Sequence, residues 1–410
     1  MNPLRVLITN NTLDARAGTE LYVYDLAVAL LKRGHQPIAY SNRLGQVASE
    51  LRNACVPVID QLDSLSVAPD IIHGHHHLDA MTAMLHFPTT PGVLFCHSWR
   101  QWLEMPVQFP RIRRYLAMNQ STYNRLAYEH GVSEQQVVWM PNFVDLDRFQ
   151  PRAQLPTRPT RALVFCNYAT ADGYLRTIRA ACDRAELSLD VIGLGVGNPV
   201  SQPWQILGDY DVIFASGRCA LESLAVGAAV IICNNFGLGP MITAEKLDDL
   251  RRRNFGPMTA ASRPFDVDDV LNQLARYCAD DATEVSRRIR DVAGLETTVD
   301  RLLDLYAEVI TEHEQRPPCH ADESRAAAAY LRKISDQVKS SGEVQHWLDV
   351  ERAEHDALRH HHAVLQASLQ TTDSELGAMR QTLTWRLHQR LTRVNFVMRL
   401  HRLLRRSRSR

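Results

Sequence analysis

The sequence predicts an α/β fold with two Rossmann-like domains and a C-terminal helical extension. Short apolar runs alternate with helical periodicity from Leu4 to Met140, and the same alternation restarts at Leu163. Such alternation is typical of βαβ units and a mainly parallel sheet. Beyond about residue 320 the pattern is helical throughout, which predicts the extension.

The 410 residues exceed one compact domain, since domains average roughly 150 residues. Prolines at 151, 156 and 159 mark a linker between a first domain at residues 1–150 and a second at residues 161–315. A helix with Leu21 and Val28 on its apolar face is expected between the first two strands. The expected strands are 6–9, 57–59, 71–74, 93–97, 116–118 and 137–140, then 163–166, 189–192, 212–215 and 230–233.

Two helical segments follow the second domain. Residues 320–378 carry leucines at partly heptad spacing, which predicts a helical extension that could form a coiled coil and a homo-oligomer. Residues 379–410 are predicted to form a basic amphipathic tail. One face of this tail carries Leu383, Leu387, Leu391, Val394 and Met398.

The formal net charge of zero hides a strong asymmetry. Ten arginines and no acidic residue follow Glu375, so the preceding residues hold 36 basic side chains against all 46 acidic ones. A basic tail can bind anionic lipid or nucleic acid. The apolar face and Trp385 favour the lipid surface, and no nucleic-acid partner is expected.

The eight cysteines are scattered, without a C-x-x-C pair, and are interpreted as reduced residues of a cytoplasmic protein. The N-terminus lacks a signal-peptide pattern, and no apolar run reaches the ~20 residues of a membrane span. The expected location is therefore cytoplasmic, with peripheral contact at the inner face of the cell membrane through the tail.

Residues 216–222 mark a junction between a strand and a helix. The first N–H groups of that helix, at Ser216 and Gly217, would point at an anion, and Arg218 would add a positive charge. Glu222, one turn later, could accept hydrogen bonds from ribose hydroxyls. A solvated amphipathic helix without a ligand is the alternative interpretation of this segment.

Other segments form a pattern with this junction. They are Ala17-Gly18-Thr19-Glu20, residues 70–75, Cys96-His97-Ser98, residues 141–149, residues 192–195, residues 217–225, residues 236–243, residues 251–256 and Thr384-Trp385-Arg386-Leu387. In chain order they resemble the family 4-like glycosyltransferases of the GT-B fold, in particular bacterial members of cell-surface polysaccharide assembly.

The resemblance implies a retaining glycosyltransferase that moves a sugar from a nucleotide-sugar donor to a glycan or lipid-linked acceptor, as in lipopolysaccharide synthesis. It implies that His97 and Arg218 are catalytic. The implied donor-binding residues are Gly18, Ser216, Gly217, Arg218, Glu222, Gly237 and Gly239. No cofactor besides the donor substrate is expected. No metal is expected either, because the histidines at 73–77 and 360–362 lack carboxylate or thiolate partners.

Three departures from the family pattern put the activity in doubt. Phe214 stands eight residues before Glu222, where the family has a second glutamate. The loop at residues 167–173 lacks the usual arginine and lysine, which Arg218 would have to replace, and residues 195–210 are too few for the usual strand and helix. The alternatives are a degenerate nucleotide-sugar-binding or scaffold protein and, more remotely, a nucleotide-sugar epimerase.

Overall fold

The computed structural model describes residues 2–98, 102–170, 173–256, 259–260 and 263–406. The predicted fold class is confirmed, with two Rossmann-like sheets followed by long helices. Both sheets belong to one compact unit that ends at Ala327, and a second unit begins at Ala328. Residues 171 and 172 of the predicted loop and residues 407–410 of the predicted tail lie outside the described residues.

The first domain contains a seven-stranded parallel sheet in the order β3-β2-β1-β4-β5-β6-β7. The order reverses between β1 and β4, so the chain leaves these neighbouring strands in opposite directions and opens a crevice at their carboxyl ends. Helices α1 (Gly18–Lys32), α2 (Gln46–Asn53), α3 (His77–His86) and α4 (Gln120–Asn124) belong to this domain. Its strands are β1 (Arg5–Thr9), β2 (Gln36–Tyr40), β3 (Val58–Ile59), β4 (Ile71–His75), β5 (Gly92–Cys96), β6 (Ile112–Ala117) and β7 (Val137–Trp139).

The sequence patterns missed strand β2 because Pro37 interrupts it, and proline normally argues against an interior strand. The pairing with β3 begins only at Ala39, which lies beside Val58. Pro37 therefore lies beyond the end of β3, and its missing N–H costs no ladder hydrogen bond on that side.

The second domain contains a five-stranded sheet in the order β12-β11-β10-β8-β9, in which β12 runs antiparallel to β11. The order reverses between β8 and β10, which creates a second crevice at strand carboxyl ends. Short 3₁₀ segments between residues 194 and 209 connect β9 to β10, in agreement with the short span in the sequence. The strands are β8 (Arg161–Phe165), β9 (Ser188–Ile192), β10 (Val212–Ala215), β11 (Ala229–Asn234) and β12 (Gly237–Met241), and the helices are α5 (Leu175–Arg184), α6 (Gly217–Val226), α7 (Leu247–Arg252), α8 (Val267–Leu274) and α9 (Ala279–Val292).

Helix α10 (Leu295–Gln315) returns to the first domain. Its residues Val299, Leu302 and Tyr306 are fully buried in the same apolar cluster as Val6 and Leu26. The predicted second domain, which ended at residue 315, therefore includes a helix that belongs to the core of the first. The sequence could not reveal this because the apolar face of α10 does not specify which sheet it covers.

The chain thus crosses between the domains twice, and the two crossings lie side by side. The N–H of Val144 donates to the carbonyl of Ala293 at 2.8 Å, and the N–H of Leu295 donates to the carbonyl of Val144 at 2.9 Å. Phe143 packs in the core of the first domain, whereas Val144 packs in that of the second. The first domain therefore ends at residue 143 rather than at 150.

The C-terminal helices are α11 (His320–Gln381), with 62 residues, and α12 (Leu383–Arg406). The break at Thr382 lies a few residues after the predicted boundary at 378. Apolar residues of α12 lie on more than one side, since Phe396 and Leu400 are exposed but point away from the predicted face of Leu383 and Leu387. Within the described ranges, no helix has the length and apolar character needed to cross a bilayer.

Candidate functional site

A cleft of about 350 Å³ separates the two Rossmann-like domains. The start of α1 forms one wall, with Ala17, Gly18 and Asp25. The carboxyl ends of β8 and β9 and the first turns of α6 form the other, with Gly193, Arg218 and Glu222. The cleft lies where both strand orders reverse, which is the usual ligand site of doubly wound sheets.

Arg218 is held by two carboxylates rather than being free for a ligand. Its Nε donates to Oε1 of Glu222 at 2.7 Å, and its Nη2 donates to Oδ2 of Asp25 on α1. The side chain of Asp25 is only 1% exposed and also accepts from Nη2 of Arg148 at 2.7 Å. Arg148 in turn pairs with Asp145 at 2.6 Å. We call these five residues the cleft ion network.

The cleft ion network joins the two domains and has a slight excess of negative charge, with two guanidinium groups and three carboxylates. Burial raises the pKa of Glu222, and the nearby Arg218 only partly offsets this. Burial acts to lower the pKa of Arg218, but Asp25 and Glu222 raise it above its ordinary value. Arg218 therefore remains charged, and an anionic ligand must displace or share its carboxylates.

The first amide of α6 does not point at an open anion site, in contrast to the expectation from the sequence. Gly217 has a φ of +58°, in the left-handed region that glycine adopts most easily. Its N–H donates to the carbonyl of Phe255 at 2.7 Å, so this amide is occupied by the protein. The Gly217 N–H is therefore not free for a phosphate in this structure, and its role in donor binding stays a prediction. Ser216, the N-cap residue, makes no side-chain cap hydrogen bond.

The start of α1 forms the opposite wall of the cleft. Its N-cap residue, Ala17, cannot satisfy the first N–H groups of the helix with its side chain. Gly18 lines the cleft, and a Cβ built at this position would meet no atom within 4 Å. Nearby, Arg16 pairs with Glu50 and donates to the carbonyl of Ser201 in the second domain at 3.2 Å. This wall thus combines the first turn of a helix with an arginine that is paired with Glu50.

His97 follows strand β5 and is not among the residues that line the cleft. Its Nε2 lies 2.6 Å from Nδ1 of His75, and its backbone N–H donates to the buried carboxyl of Glu104 at 2.9 Å. Its ring stacks on Phe95 at 4.3 Å and meets Tyr22 of α1 edge-on at 5.4 Å. The structure therefore brings His97 into an aromatic cluster beside α1.

Four histidines of this region are held neutral by burial. Burial lowers the pKa of His73 to about 3 and that of His76 to about 4. Burial and neighbouring imidazoles lower the pKa of His75 and His97 well below 6.5. Nδ1 of His73 lies 2.5 Å from the hydroxyl of Tyr306 on α10, which ties the cluster to the returning helix. In the described part of the chain, no group of three or more potential ligands is arranged to hold a metal ion.

These histidines should make the protein sensitive to acid. The unfolded chain binds protons near pH 6.5, whereas the folded state keeps the four imidazoles neutral, so stability falls as pH drops below about 6.5. Each such histidine contributes up to about 1.4 kcal/mol per pH unit. Four carboxyls act in the opposite direction, because burial raises the pKa of Glu104 and Asp79 to about 7 and also raises the pKa of Glu20 and Glu222. Burial lowers the pKa of His35 and His313 as well, and these two add to the effect of the four histidines.

The measurement is the free energy of unfolding in urea at about pH 7.5 and about pH 5.5, which lie on either side of the ordinary histidine pKa. The variant His75→Asn, which removes one buried imidazole, should lose less stability between these values than the wild type. Equal losses in the two proteins would contradict the role of His75.

Gly237 and Gly239 lie in β12 and are not part of the cleft. They line two other depressions, together with residues such as Arg263 and Phe265. A Cβ at Gly239 would come within 2.8 Å of Cβ of Ile232 and of the carbonyl oxygen of Thr259, so close packing accounts for this glycine. The structure does not bring these two predicted donor residues to Arg218 and Glu222.

The structure shows where two of the departures from the family pattern lie. Phe214 lies inside β10 and is fully buried in the apolar core, so its position does not face the cleft. Asn167 lines the cleft, but the described part of its loop contributes no cation there. The site residues that sequence reasoning missed are Asp25, Arg148 and Arg16. The spacing of Asp25 on an amphipathic helix gave no sign that it faces another domain.

Comparisons with known proteins agree with this architecture. Residues 58–148 match the sequence profile of Glycosyltransferase Family 4. No protein with a curated description matches the chain in sequence. A glycosyltransferase structure from Rickettsia africae is similar over 76% of this chain and 99% of its own, with a TM-score of 0.54 and 14% identity. The Anabaena protein Alr3699/HepE, solved with UDP-glucose, is similar over 74% of this chain and 100% of its own, with a TM-score of 0.53 and 12% identity. The chain therefore has the GT-B fold of glycosyltransferases, and residues 58–148 are similar to Glycosyltransferase Family 4.

Proposed function

We propose that the chain is a retaining glycosyltransferase that binds a nucleotide-sugar in the cleft between its Rossmann-like domains. The observation that carries the proposal is the juxtaposition of the open first turn of α1 with the Arg218–Glu222 pair of α6. The presence of UDP-glucose in the structurally similar Anabaena protein supports a nucleotide-sugar as the ligand class.

The reaction breaks a sugar–phosphate bond, so the leaving nucleoside diphosphate gains negative charge that the protein must stabilise. In our proposal the diphosphate lies at the first amides of α1, beside Gly18, where the helix dipole favours an anion. Arg218 and Arg148 approach it from the opposite wall by giving up part of their contact with Asp25. The reaction needs no resident metal if these groups together offset the charge.

Glu222 keeps one oxygen on Arg218 and offers the other to the ribose hydroxyls of the donor. The acceptor hydroxyl attacks the anomeric carbon on the face that the diphosphate leaves and passes its proton to the departing diphosphate oxygen, so the anomeric configuration is retained without a side-chain nucleophile. His97 shapes the sugar side of the site from behind α1. Full activity of a His97→Ala variant would assign this histidine a structural role only.

Gly18 provides the direct test of the donor site. The substitution Gly18→Ala adds a methyl group where no neighbouring atom lies within 4 Å, so the fold should be unaffected. The methyl group would still hold a diphosphate away from the helix amides, and we expect nucleotide-sugar affinity to fall at least about tenfold. Thermal shift against a panel of nucleotide-sugars measures this effect.

A matched control is Gly342→Ala in α11, which also has open space around the added methyl group. It should leave both melting temperature and affinity unchanged. If Gly18→Ala binds donors as tightly as this control, the diphosphate does not lie at α1.

A nucleotide-sugar-binding protein without transferase activity is the second candidate. The buried Phe214 and the absence of cations from the described part of loop 167–173 favour it. Donor hydrolysis measured beside thermal shift separates the two. Binding without turnover or hydrolysis would support this candidate over the transferase.

We further propose that the acceptor is a glycan or lipid-linked intermediate of a bacterial surface polysaccharide and that α12 holds the enzyme at the cytoplasmic face of the membrane. Helix α12 has no acidic residue and exposes apolar side chains beside its arginines. Each basic residue near an anionic surface contributes about 1 kcal/mol to binding.

Flotation with phosphatidylglycerol vesicles tests the tail. Full-length protein with Arg390, Arg393, Arg399 and Arg402 replaced by glutamine should no longer float, since about 4 kcal/mol of attraction is removed. The same four positions changed to lysine keep the charge and should float like the wild type. Unchanged flotation of the glutamine variant would contradict the proposed anchoring.

A further inference from the structure

Helix α11 carries a stripe of exposed apolar side chains along its C-terminal forty residues. The stripe includes Val344, Leu348, Leu358, Leu365, Leu369, Leu376 and Met379, and it ends with Leu383, the first residue of α12. These eight side chains are between 41% and 80% exposed. Exposed apolar surface of this extent marks an interaction surface in a soluble protein.

The stripe follows one heptad frame without interruption. Alternating steps of four and three residues from Val344 to Leu383 pass through all eight apolar residues, with Glu351, His355, His362 and Thr372 as the polar positions. The next three positions of the frame are Arg386, Arg390 and Arg393, so the apolar pattern ends where α12 begins. A repeat of seven over about 60 Å of helix is the pattern of a coiled coil.

The charges beside the stripe fit a second, parallel copy. Glu354 and Arg359 lie on opposite flanks of the stripe, as do Glu375 and Arg380, and each pair is separated by five residues. Residues five apart do not meet on one helix. In two parallel helices in register, the acidic residue of each pair faces the basic residue of the partner helix. No ion pair in the described ranges of the single chain involves any of these four side chains.

We propose that two copies of this chain associate through a parallel, in-register coiled coil formed by residues 344–383, which run from α11 to the first residue of α12. The eight apolar residues of each copy are covered by those of the other, and four ion pairs flank them by symmetry. His355 of one chain faces His355 of the second chain across the coiled-coil axis, and the two copies of His362 face each other in the same way. Polar residues at such core positions fix the register of the helices and the number of helices in the coiled coil. Gly342 and Gly377 lie on the outer side of the frame, where no side chain is needed for packing.

Adjacent residues provide a matched pair of variants. Leu365 lies in the stripe and Val364 lies beside it, and their side chains are 51% and 52% exposed in the single chain. Both should tolerate aspartate in a monomer. By sedimentation equilibrium of the lipid-free full-length protein, we expect the wild type and Val364→Asp to be dimers. Leu365→Asp should dissociate, with a dissociation constant raised at least about a hundredfold, since one substitution disturbs two chains.

A wild-type monomer, a trimer or tetramer, or equal effects of the two aspartates would overturn the proposal. Strand orientation is tested separately by Glu354→Arg, which places like charges opposite each other and should weaken the dimer. The exchange Glu354→Arg with Arg359→Glu restores opposite charges only in the parallel, in-register arrangement. Failure of this double variant to recover the wild-type dissociation constant would overturn that arrangement.

Discussion

Replacing Arg218 by methionine is expected to lower kcat/KM with a nucleotide-sugar donor by about 10²–10³-fold, the usual effect of removing one preorganised group that stabilises transition-state charge. The substitution should also destabilise the fold. It leaves Glu222 without its ion-pair partner and leaves the buried Asp25 with only Arg148. Removal of one partner of a buried ion pair lowers the free energy of unfolding by about 3–5 kcal/mol. We expect the lower value here, because Arg148 still pairs with Asp25.

The loss of activity and the loss of fold stability caused by Arg218→Met can be measured separately. Asp25→Asn removes one charge of the same pair without changing the size of the side chain, and the double variant Asp25→Asn/Arg218→Met should be less destabilised than the sum of the single variants. Arg218→Lys keeps the charge but cannot reach both carboxylates with a planar fork. Urea unfolding measures stability, and steady-state kinetics measures turnover. Turnover by Arg218→Met equal to that of the wild type would remove Arg218 from the catalytic role.

Arg111→Met is expected to cause the largest loss of stability of any variant considered, about 3–5 kcal/mol. Arg111 is only 2% exposed. Its guanidinium donates to the carbonyls of Phe87 and Thr90, both at 2.7 Å, and to that of Met84, and its Nε pairs with Glu323 of α11 at 2.5 Å. Methionine fills much of the same volume but leaves these acceptors unpaired in a buried place.

The comparison variant is Arg158→Met. Arg158 also pairs with a glutamate, Glu186, at 2.5 Å, but the two side chains are 73% and 76% exposed. Solvent screens such a pair, and the expected loss is below about 1 kcal/mol. Equal urea midpoints for the two variants would show that burial of Arg111 does not determine its contribution.

The features that could be read from the sequence are those set by neighbouring residues. The alternation of strands and helices located both Rossmann-like domains, and the strand–helix junction located Arg218 and Glu222. The structure places both residues in the cleft. The spacing of residues along the chain is sufficient to predict such features. The repeat of a helix or strand and the residues at its end determine where its side chains point.

The features that could not be read from the sequence depend on distant parts of the chain. Asp25 and Arg218 are 193 residues apart, and nothing in either helix indicates that they meet. The N–H of Gly217 was expected to be free, but Phe255 supplies an acceptor from a distant loop. Helix α10 has an apolar face that would fit either sheet, and its packing in the core of the first domain, with Tyr306 beside His73, becomes visible only in the structure.

The paired crossings at Val144 and Gly294 have a mechanical consequence. The two crossing segments are hydrogen-bonded to each other, so both covalent connections between the domains leave the interface at the same edge. A double connection at one edge restricts the relative positions that the domains can take. It therefore reduces the entropy that is lost when Asp25 of the first domain meets Arg218 of the second.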